Sequence, residues 1–579
     1  MLRKGWSGRS YSVGRPDLLK VPEINGVHPL LVQIASQREI PDSELEDFFF
    51  PTLKNLMVDP AMMTDMTEGA TVLVDAIESG VGIGMVGDYD VDGATSVAIM
   101  SIFLSDLGHA NQEFYIPQRL SEGYGINKGA VQHLYDNGAR VLLILDSGTT
   151  ANEPIAFARE LGMNVVVLDH HEPGDGWIDT KPDAFVINPK REDDRANVPY
   201  LCTAGLAILL AVRISTLLKE RGWTGLPDIM EYMGLAALGT VADLMPLKRL
   251  NRAYVRAGLG RMHILPGLAG LAMASKNITS PDDFPELTAY DLGFLLGPAV
   301  NAAGRIDDCS LGATLLTQSS LDKAVEFGKH VVGINQERKA MQEGIQKGAE
   351  AQAAAIFNPE RDKCLVVYDE SWHPGIIGIV AGRLKELYNI PVVVIGTGGK
   401  GSGRSAHGFN LGGAFIDARK EGLLIAGGGH QAAGGLTIDP ARVEEFRRYM
   451  AEKASGLVSK PDRIDGIINI EDITSNFVRN LNVMEPFGMN NPKPVWLLRH
   501  VTITSTKWVK DSHLRVMFQS GRTRLGAIVF NAKGGPLQEL DRRVGETVSL
   551  LVQVSQNKKA YAGFSDIDIV VKDVIDDED

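Results

Sequence analysis

The stretch Met85-Val-Gly-Asp-Tyr-Asp-Val-Asp-Gly-Ala-Thr-Ser96 decides the fold of this chain. The apolar run before it, residues 81–86, is typical of a buried strand, and residues 94–107 have the composition of a helix. Asp88, Asp90 and Asp92 therefore lie where a strand ends and a helix begins, which is where open α/β sheets bind ligands. Three carboxylates this close repel one another unless divalent cations neutralise them.

Two other interpretations of this stretch are open at this point. Taken alone, it is equally compatible with a solvated polar turn. It also resembles the start of a calcium-binding loop, but the twelfth position counted from Asp88 is Ile99, where an EF-hand requires a glutamate. The calcium-loop interpretation therefore fails.

Composition bounds the class of protein. A length of 579 residues predicts three or four domains, and 44% hydrophobic with 22% charged residues describes a globular chain. No run of 18 apolar residues occurs, so we expect no membrane span. The three cysteines lie far apart, which fits a cytoplasmic location and argues against a disulfide framework. The net charge of −14 does not exclude a nucleic-acid enzyme, because a metal-dependent nuclease needs an acidic cluster.

Between residues 65 and 250, short β-rich runs alternate with helical segments, which predicts a parallel sheet. The strand candidates 83–86, 141–145 and 165–168 are each followed by an acid, and the acids at the ends of parallel strands converge in space. A further acid, Asp243, ends an apolar helix.

Singly, each of these residues has an ordinary explanation. Asp146 could cap a helix, Asp243 could be a helix C-terminal acid, and the histidines after Asp169 could lie on the surface. Together they supply carboxylates and imidazoles, the ligand set of two Mn²⁺ or Mg²⁺ ions, and the absence of nearby cysteines argues against structural zinc.

Five motifs in order resemble those of the DHH phosphoesterases. They are Gly87-Asp-Tyr-Asp-Val-Asp-Gly, Asp146-Ser-Gly, Asp169-His-His, Gly239-Thr-Val-Ala-Asp and Gly297-Pro-Ala-Val-Asn-Ala-Ala-Gly-Arg. The resemblance extends from about residue 30 to beyond residue 569. Two positions depart from the family pattern: Ser147 replaces an asparagine, and Ala299 replaces an arginine whose substrate contact is lost or supplied elsewhere.

The resemblance implies an α/β fold of several parts. After an N-terminal arm with helices (1–60) come a parallel-sheet DHH domain (61–320) and a connecting helix (321–358). A smaller α/β DHHA1 domain (359–458) and a C-terminal OB-type β-barrel (459–579) follow. Strand candidates for the barrel are 502–508, 514–519, 525–530, 548–556, 560–564 and 567–571.

By the same resemblance, two divalent cations, Mn²⁺ or Mg²⁺, occupy the acidic centre. Asp90 and Asp146 hold the first cation with Asp88 nearby, while the second is held by Asp92, Asp146, His170 and Asp243, so that Asp146 bridges. His171 contacts the scissile phosphate or orients a ligand. Arg119 and Arg305 offset charge on that phosphate, and the less favoured alternative for Arg119 is a surface salt bridge.

Two further groups of residues are candidates for binding nucleic acid. Glycine-rich stretches in the DHHA1-like region, which could also be plain turns, suggest a 5′-phosphate pocket formed by Ser402, Arg404, Arg383, Gly428, Gly429 and His430. In the barrel, basic residues interleaved with an aromatic residue suggest a platform for single strands, unless they form a solvated sheet face. These residues are Lys507, Trp508, Lys510, Arg515, Arg522 and Arg524.

Within the DHH family, the motifs resemble the exonucleases specific for single-stranded DNA. The implied function is metal-dependent 5′→3′ degradation of single-stranded DNA to mononucleotides in DNA repair and recombination. A single-strand-binding protein and a helicase are the implied protein partners, and no membrane is involved. The alternatives are a nanoRNase or cyclic-dinucleotide phosphodiesterase, which lacks the barrel, and an inactive repair scaffold, against which the retained acids argue.

Overall fold

The protein is described by a computed structural model covering residues 2–16, 19–119, 121–174, 176–358, 361–458, 460–557 and 566–575. Its N-terminal segment contains two strands, β1 (Leu2–Lys4) and β2 (Ser10–Val13). Three short helices follow: α1 (Pro29–Gln37), α2 (Leu45–Phe49) and α3 (Leu53–Leu56).

The first large domain is built on a five-stranded, wholly parallel sheet in the order β4-β3-β5-β6-β7. The strands are β3 (Gly82–Gly87), β4 (Gln112–Tyr115), β5 (Ala139–Leu145), β6 (Asn164–Leu168) and β7 (Phe185–Ile187). The predicted parallel sheet is confirmed, and its three predicted strands differ from the observed ones by at most two residues at an end. The last residues of β3, β5 and β6 are aligned in register, so the acids that follow them emerge at one edge.

Helices cover both faces of this sheet. The helix that begins within the deciding stretch starts at Val91, three residues earlier than predicted, and most of its residues are buried. The helices of this domain are α4 (Met66–Ser79), α5 (Val91–Asp106), α6 (Lys128–Asp136), α7 (Asn152–Glu160), α8 (Thr203–Glu220), α9 (Met233–Ala242), α10 (Arg249–Leu259), α11 (Pro266–Lys276), α12 (Ala289–Asp291), a π-helical turn (Leu292–Leu296), α13 (Gly297–Ile306) and α14 (Leu311–Leu316).

Helix α15 (Leu321–Ile356) spans 36 residues and joins two lobes, as predicted. The second lobe has a mixed sheet in the order β11-β12-β10-β9-β8, in which the β8–β9 pair is parallel and the other pairs are antiparallel. Its elements are β8 (Leu365–Tyr368), α16 (Pro374–Tyr388), β9 (Val392–Ile395), β10 (Lys400–Arg404), α17 (Leu411–Lys420), β11 (Ala426–Gly429), β12 (Ala433–Thr437) and α18 (Val443–Ala454).

The C-terminal part is a five-stranded barrel closed by the pairing of its first and fourth strands. Its first strand begins at Trp496, six residues before the predicted start, and the predicted strand 560–564 lies outside the described residues. The elements are β13 (Asp462–Ile464), β14 (Gly466–Ile468), α19 (Ser475–Leu481), β15 (Trp496–Val509), β16 (His513–Ser520), β17 (Thr523–Val529), β18 (Thr547–Gln556) and β19 (Ile567–Ile575).

The N-terminal segment belongs structurally to the barrel. Strand β2 pairs in parallel with β13, and the Tyr11 hydroxyl donates to Asp573 Oδ2 at 2.8 Å. Leu31 and Phe49 share one hydrophobic core with Trp496 and other barrel residues. The predicted arm of residues 1–60 is therefore not a separate unit, because part of its apolar surface is buried against barrel residues more than 400 positions later in the sequence.

A buried arginine fixes the barrel to the first domain. Arg252 of α10 is fully buried and donates from Nε and Nη2 to the Phe48 carbonyl at 3.0 and 2.7 Å. The same Nη2 donates to the carbonyls of Met484 and Glu485 at 3.1 and 3.0 Å. A buried guanidinium needs several acceptors to offset its lost hydration, and here they come from two other segments of the chain.

Candidate metal centre and substrate cleft

The ends of three neighbouring strands deliver the acids to one place. Asp88 follows β3, Asp146 follows β5 and Asp169 follows β6, and all three are buried. Asp146 has a φ of 63°, a left-handed conformation that is rare for a residue other than glycine. Such strained residues occur most often at functional sites, where the surrounding structure enforces them.

Two helix N-termini hold the next pair of carboxylates. Asp90 caps α5, its Oδ1 accepting the N–H groups of Asp92 and Gly93 at 2.9 and 3.2 Å. Asp92 in turn accepts the N–H groups of Thr203 and Ala204, at 2.7 and 2.9 Å, at the start of α8. The partial positive charge of a helix N-terminus favours a carboxylate there.

Close helix packing at this point requires glycine. A Cβ on Gly93 would lie 2.3 Å from the Asp88 carbonyl oxygen. A Cβ on Gly239 would lie 2.6 Å from Thr95 Oγ1 and 3.0 Å from Asp92 Oδ1. These glycines allow α5 and α9 to approach the acids, and α9 then places Asp243 at its C-terminal end.

His170 lies at the centre of the cluster. Its Nε2 is 3.5 Å from both Asp146 Oδ1 and Asp243 Oδ2, and 3.7 Å from Asp92 Oδ2. Three sets of side chains bring ligand atoms within 4.8 Å of one another: Asp88, Asp90 and Asp146; Asp92, His170 and Asp243; and Asp146, His170 and His171. All seven predicted residues thus meet in one place. Asp146 and His170 each belong to two of these sets, and the bridging role of Asp146 stays a prediction.

The electrostatics of the cluster fit a site for divalent cations. Burial, and then the charge of Asp90, raises the pKa of Asp88 to about 8, and burial with Asp92 raises that of Asp243 to about 8. Burial raises the pKa values of Asp90 and Asp146 as well. The buried Asp88 Oδ1 has no hydrogen-bond partner among the described residues. Carboxylate oxygens with imidazole suit Mn²⁺ and Mg²⁺, whose charge would offset this repulsion.

Cation binding is therefore expected to strengthen as the pH rises towards 8. In the folded, metal-free protein, Asp88 and Asp243 bind their protons more tightly than in the unfolded chain. The stability that this proton binding contributes is therefore lost as the pH rises from their ordinary pKa of 3.8 to about 8. Mn²⁺ must displace these protons. The measurement is the Mn²⁺-induced rise in Tm, which should be larger at about pH 8.5 than at about pH 6.5. As a control, Asp136→Asn at an exposed position should show the same Mn²⁺-induced rise in Tm as wild type. A rise in wild-type Tm that does not depend on pH would contradict the assignment of Asp88 and Asp243 as cation ligands.

Asp169 holds His171 rather than a cation. Its Oδ1 is 2.7 Å from His171 Nδ1, and its Oδ2 accepts from Thr149 N and Oγ1 at 3.0 and 2.6 Å. Burial opposes ionisation, but the His171 and Thr149 contacts outweigh it and lower the pKa of Asp169. Burial likewise lowers the pKa of His171, yet the hydrogen bond and charge of Asp169 outweigh it and raise that pKa to about 9. The contact with Asp169 thus favours the protonated form of His171 in the metal-free protein.

A group of arginines lies between the two lobes. Arg119 sits 5.0 Å from the Tyr89 ring centroid, Arg305 Nη1 donates to the Gly375 carbonyl at 3.1 Å, and Arg404 Nη1 donates to Ser402 Oγ at 3.1 Å. None of the three forms an ion pair with a described carboxylate. Burial, and then the charge of Arg119, lowers the pKa of Arg305 to about 10 and also lowers that of Arg404. Close guanidinium groups without acids are suited to binding phosphates.

The predicted 5′-phosphate pocket is only partly assembled. Gly378 of α16 packs against both Ser402 and Arg404, whereas Arg383 is exposed farther along that helix. Gly435 of β12 pairs with Ser402 on one side and with Gly428 on the other. The backbones of Ser402 and Gly428 are therefore two strand spacings, or about 10 Å, apart. Gly429 and His430 follow at the edge of the sheet. That Gly428, Gly429 and His430 join Ser402 and Arg404 at one phosphate stays a prediction.

The basic barrel residues that are predicted to bind DNA lie partly on strands and partly in turns. Lys507, Arg515 and Arg524 are exposed on adjacent strands, with Lys507 directly opposite Arg515. Lys510 and Arg522 lie in hairpin turns at opposite ends of β16.

Trp508 is partly packed into the barrel, and its role in binding DNA stays a prediction. Its Nε1 donates to Asp541 Oδ2 at 2.9 Å, and its ring packs against the barrel core. The indole N–H, which needs an acceptor when partly buried, is satisfied by a loop 33 residues away that local sequence does not reveal.

The two departures from the family pattern have different settings. Ser147 is buried next to the acids, and its Oγ has no hydrogen-bond partner among the described residues. Ala299 is 1% exposed and belongs to the main hydrophobic core. Its side chain therefore does not line the cleft.

Several residues at the site escaped sequence reasoning. The Tyr124 hydroxyl lies 3.0 Å from His171 Nε2, and Asn301 Oδ1 accepts the Val91 N–H at 3.2 Å. Arg338 of α15 is buried, donates to the amide oxygens of Asn335 and Gln342, and forms no ion pair with a described acid. A signal for Arg338 existed, because the positions three and four residues away on its helix carry no acid.

No helix in the described part of the chain is long and apolar enough to cross a membrane.

Comparison with known families agrees with this architecture. Residues 82–240 match the N-terminal domain of the DHH family, 361–456 match the DHHA1 domain and 464–573 match the RecJ OB domain. Fold and site together define a metal-dependent phosphoesterase of the DHH class.

The relatives narrow this assignment. The single-stranded-DNA-specific exonuclease RecJ of Escherichia coli K12 is 32% identical over 494 residues, covering 81% of this chain and 84% of the relative. RecJ of Bacillus subtilis 168 is 31% identical over 564 residues, covering 95% and 69%. The chain belongs to the RecJ family of single-stranded-DNA-specific exonucleases.

Solved structures support the same conclusion. The crystal structure of RecJ from Thermus thermophilus in complex with Mn²⁺ matches with a TM-score of 0.79 and 27% identity, covering 98% of this chain and 80% of that one. A structure of an exonuclease RecJ bound to manganese matches with a TM-score of 0.57 and 32% identity, covering 69% and 96%.

Proposed function

We propose that this chain hydrolyses single-stranded DNA from the 5′ end to mononucleotides, using Mn²⁺ or Mg²⁺. One observation carries the proposal: a cluster of cation ligands, in which Asp146 belongs to two sets, lies beside guanidinium groups without acidic partners among the described residues. The names of the relatives support specificity for single strands, and the solved RecJ structures contain Mn²⁺ or Mg²⁺.

The proposed reaction requires residues that bind the cations and residues that stabilise charge on the phosphate. Asp88, Asp90 and Asp146 would hold one cation, and Asp92, Asp146, His170 and Asp243 the other. When bound, such a pair supplies a water of lowered pKa and stabilises the charge on the phosphate. Arg119 and Arg305 direct N–H groups towards that charge, and Asp169 keeps His171 protonated and oriented beside it.

The polarity of degradation must come from outside the acidic cluster, because two cations can cleave a phosphodiester that arrives from either end. We assign the 5′ end to Ser402 and Arg404, whose guanidinium is held by Ser402 Oγ and the Gly403 carbonyl. The raised charge and free oxygens of a terminal phosphate suit an arginine held in this way.

The outer face of β15 to β17 would hold the strand farther from the centre through Lys507, Arg515 and Arg524. Replacing all three by alanine should weaken binding of a single-stranded 30-mer and reduce the steepness of its salt dependence by about one unit per lost phosphate contact. The measurement is Kd against salt concentration. The triple variant of the exposed Lys54, Lys219 and Lys323 removes the same charge elsewhere and should keep the wild-type slope. An equal loss in both triple variants would show a general charge effect.

The function itself is tested on a labelled 60-mer and a dinucleotide with Mn²⁺. We expect the 60-mer to shorten from its 5′ end to mononucleotides. Preference for the dinucleotide would favour the nanoRNase alternative, and no cleavage of either would favour the scaffold. The barrel argues against the first and the complete acidic cluster against the second.

A single-strand-binding protein and a helicase are the proposed protein partners, since a helicase generates the single strands that this enzyme would degrade. The three cysteines are free and buried, in keeping with the proposed cytoplasmic location.

A further inference from the structure

An exposed pair of stacked aromatic rings lies outside the site described so far. Tyr290 and Phe294 are 69% and 62% exposed, and their ring centroids are 4.6 Å apart at an interplanar angle of 21°. Although the two rings contact each other, most of the surface of both side chains remains exposed to solvent. An exposed aromatic pair of this kind is a candidate binding surface.

The pair lies on the helix that also carries Arg305. Residues 289–306 run without interruption through α12, the π-helical turn and α13. Most residues of α13 are buried. Five accessible positions of residues 289–306 form one stripe, namely Tyr290, Phe294, Pro298, Asn301 and Arg305, and the accessible Asp291, Gly293, Leu295 and Ile306 lie beside it. The spacing of three or four residues within the stripe places its members on one face of the helix.

This stripe passes along the metal centre. Asn301 accepts the Val91 N–H at the start of α5, and a Cβ on Gly304 would lie 3.0 Å from the Tyr89 carbonyl oxygen. At the other end, a Cβ on Gly297 would lie 3.0 Å from Ala242 Cβ, one residue before Asp243. The helix is thus packed against the two segments that supply most of the acids.

We propose that Tyr290 and Phe294 stack on unpaired bases of the substrate and hold the single strand on its way to the metal centre. The eleven residues from Phe294 to Arg305 correspond to about 16 Å along the helix axis, room for more than one nucleotide between the rings and the phosphate at Arg305. Stacking on aromatic rings is tolerant of sequence, as a degrading enzyme requires, and is unavailable from paired bases inside a duplex. The inference rests on the proposed function.

The test compares the double variant Tyr290→Ala/Phe294→Ala with wild type on a 5′-phosphorylated dT 20-mer and on dT dinucleotide, with Mn²⁺. We expect KM for the 20-mer to rise roughly five- to hundred-fold and more than KM for the dinucleotide, which cannot reach the rings. Met62→Ala, another exposed apolar position at 50%, should keep both wild-type values.

Two single variants separate stacking from a structural role. Phe294→Trp should retain KM for the 20-mer, and its added fluorescence should be quenched when the oligonucleotide binds. Phe294→Leu, which keeps apolar bulk but no ring, should raise KM for the 20-mer in the same direction as the double alanine variant. An unchanged KM in the double variant, or an equal rise for both substrates, overturns the inference. Absence of single-strand cleavage by the wild type would instead overturn the proposed function.

Discussion

Asp146→Ala is expected to abolish cleavage while leaving most of the affinity for single-stranded DNA. Asp146 is the residue predicted to hold both cations, and its Oδ1 also accepts from Thr203 Oγ1 at 3.0 Å. Loss of an outer-shell partner of a metal ligand typically reduces activity 10–100-fold, so loss of a shared ligand should cost at least about 100-fold. The arginines of the cleft and the barrel surface remain to bind phosphates.

The measurement is the initial rate on a labelled single strand with Mn²⁺, together with Kd for the same strand. Asp136→Ala removes an exposed carboxylate of the same domain and should keep both wild-type values. His170→Ala should also lose activity, but high Mn²⁺ should restore part of it, since that variant loses one ligand of one cation. Appreciable Mn²⁺-dependent cleavage by Asp146→Ala would refute the bridging assignment.

Arg404→Ala should remove most of the preference for 5′-phosphorylated over 5′-hydroxyl ends. The guanidinium is anchored by Ser402 Oγ and the Gly403 carbonyl, it has no described acidic partner, and burial lowers its pKa. An anion that completes its hydrogen bonding should therefore be bound tightly. A charge-assisted contact of about 1.5–3 kcal/mol corresponds to a change of roughly ten- to hundred-fold in the ratio of rates.

The two 5′ ends are compared on one sequence for wild type, Arg404→Ala and Arg419→Ala. Arg419 is an exposed arginine in the last turn of α17, and its variant should keep the wild-type ratio. Should wild type prefer the phosphorylated end and Arg404→Ala keep that preference unchanged, end recognition lies elsewhere. Arg119 and Arg305 would then be the next candidates.

Local sequence determined the elements that carry the chemistry. The strand that precedes Asp88, Asp90 and Asp92 could be predicted because buried strands favour apolar runs. The cation site could be predicted because closely spaced carboxylates need a cation to neutralise them. The long helix and the alternating strands of the barrel could be predicted for the same reason, since their periodicity is set by neighbours in the chain. The family resemblance then joined distant motifs into one set of candidate ligands.

The tertiary structure decided what no local pattern encodes. The aligned ends of β3, β5 and β6 bring Asp88, Asp146 and Asp169 to one edge, and the start of α8 reaches Asp92 from 111 residues away. Asp541 engages Trp508, and the N-terminal segment completes the barrel core. The arginines without acids and the exposed rings of Tyr290 and Phe294 also become visible only when every neighbour is placed. Such contacts depend on how the whole chain packs, whereas the periodicity of a sequence reports only which side of an element is buried.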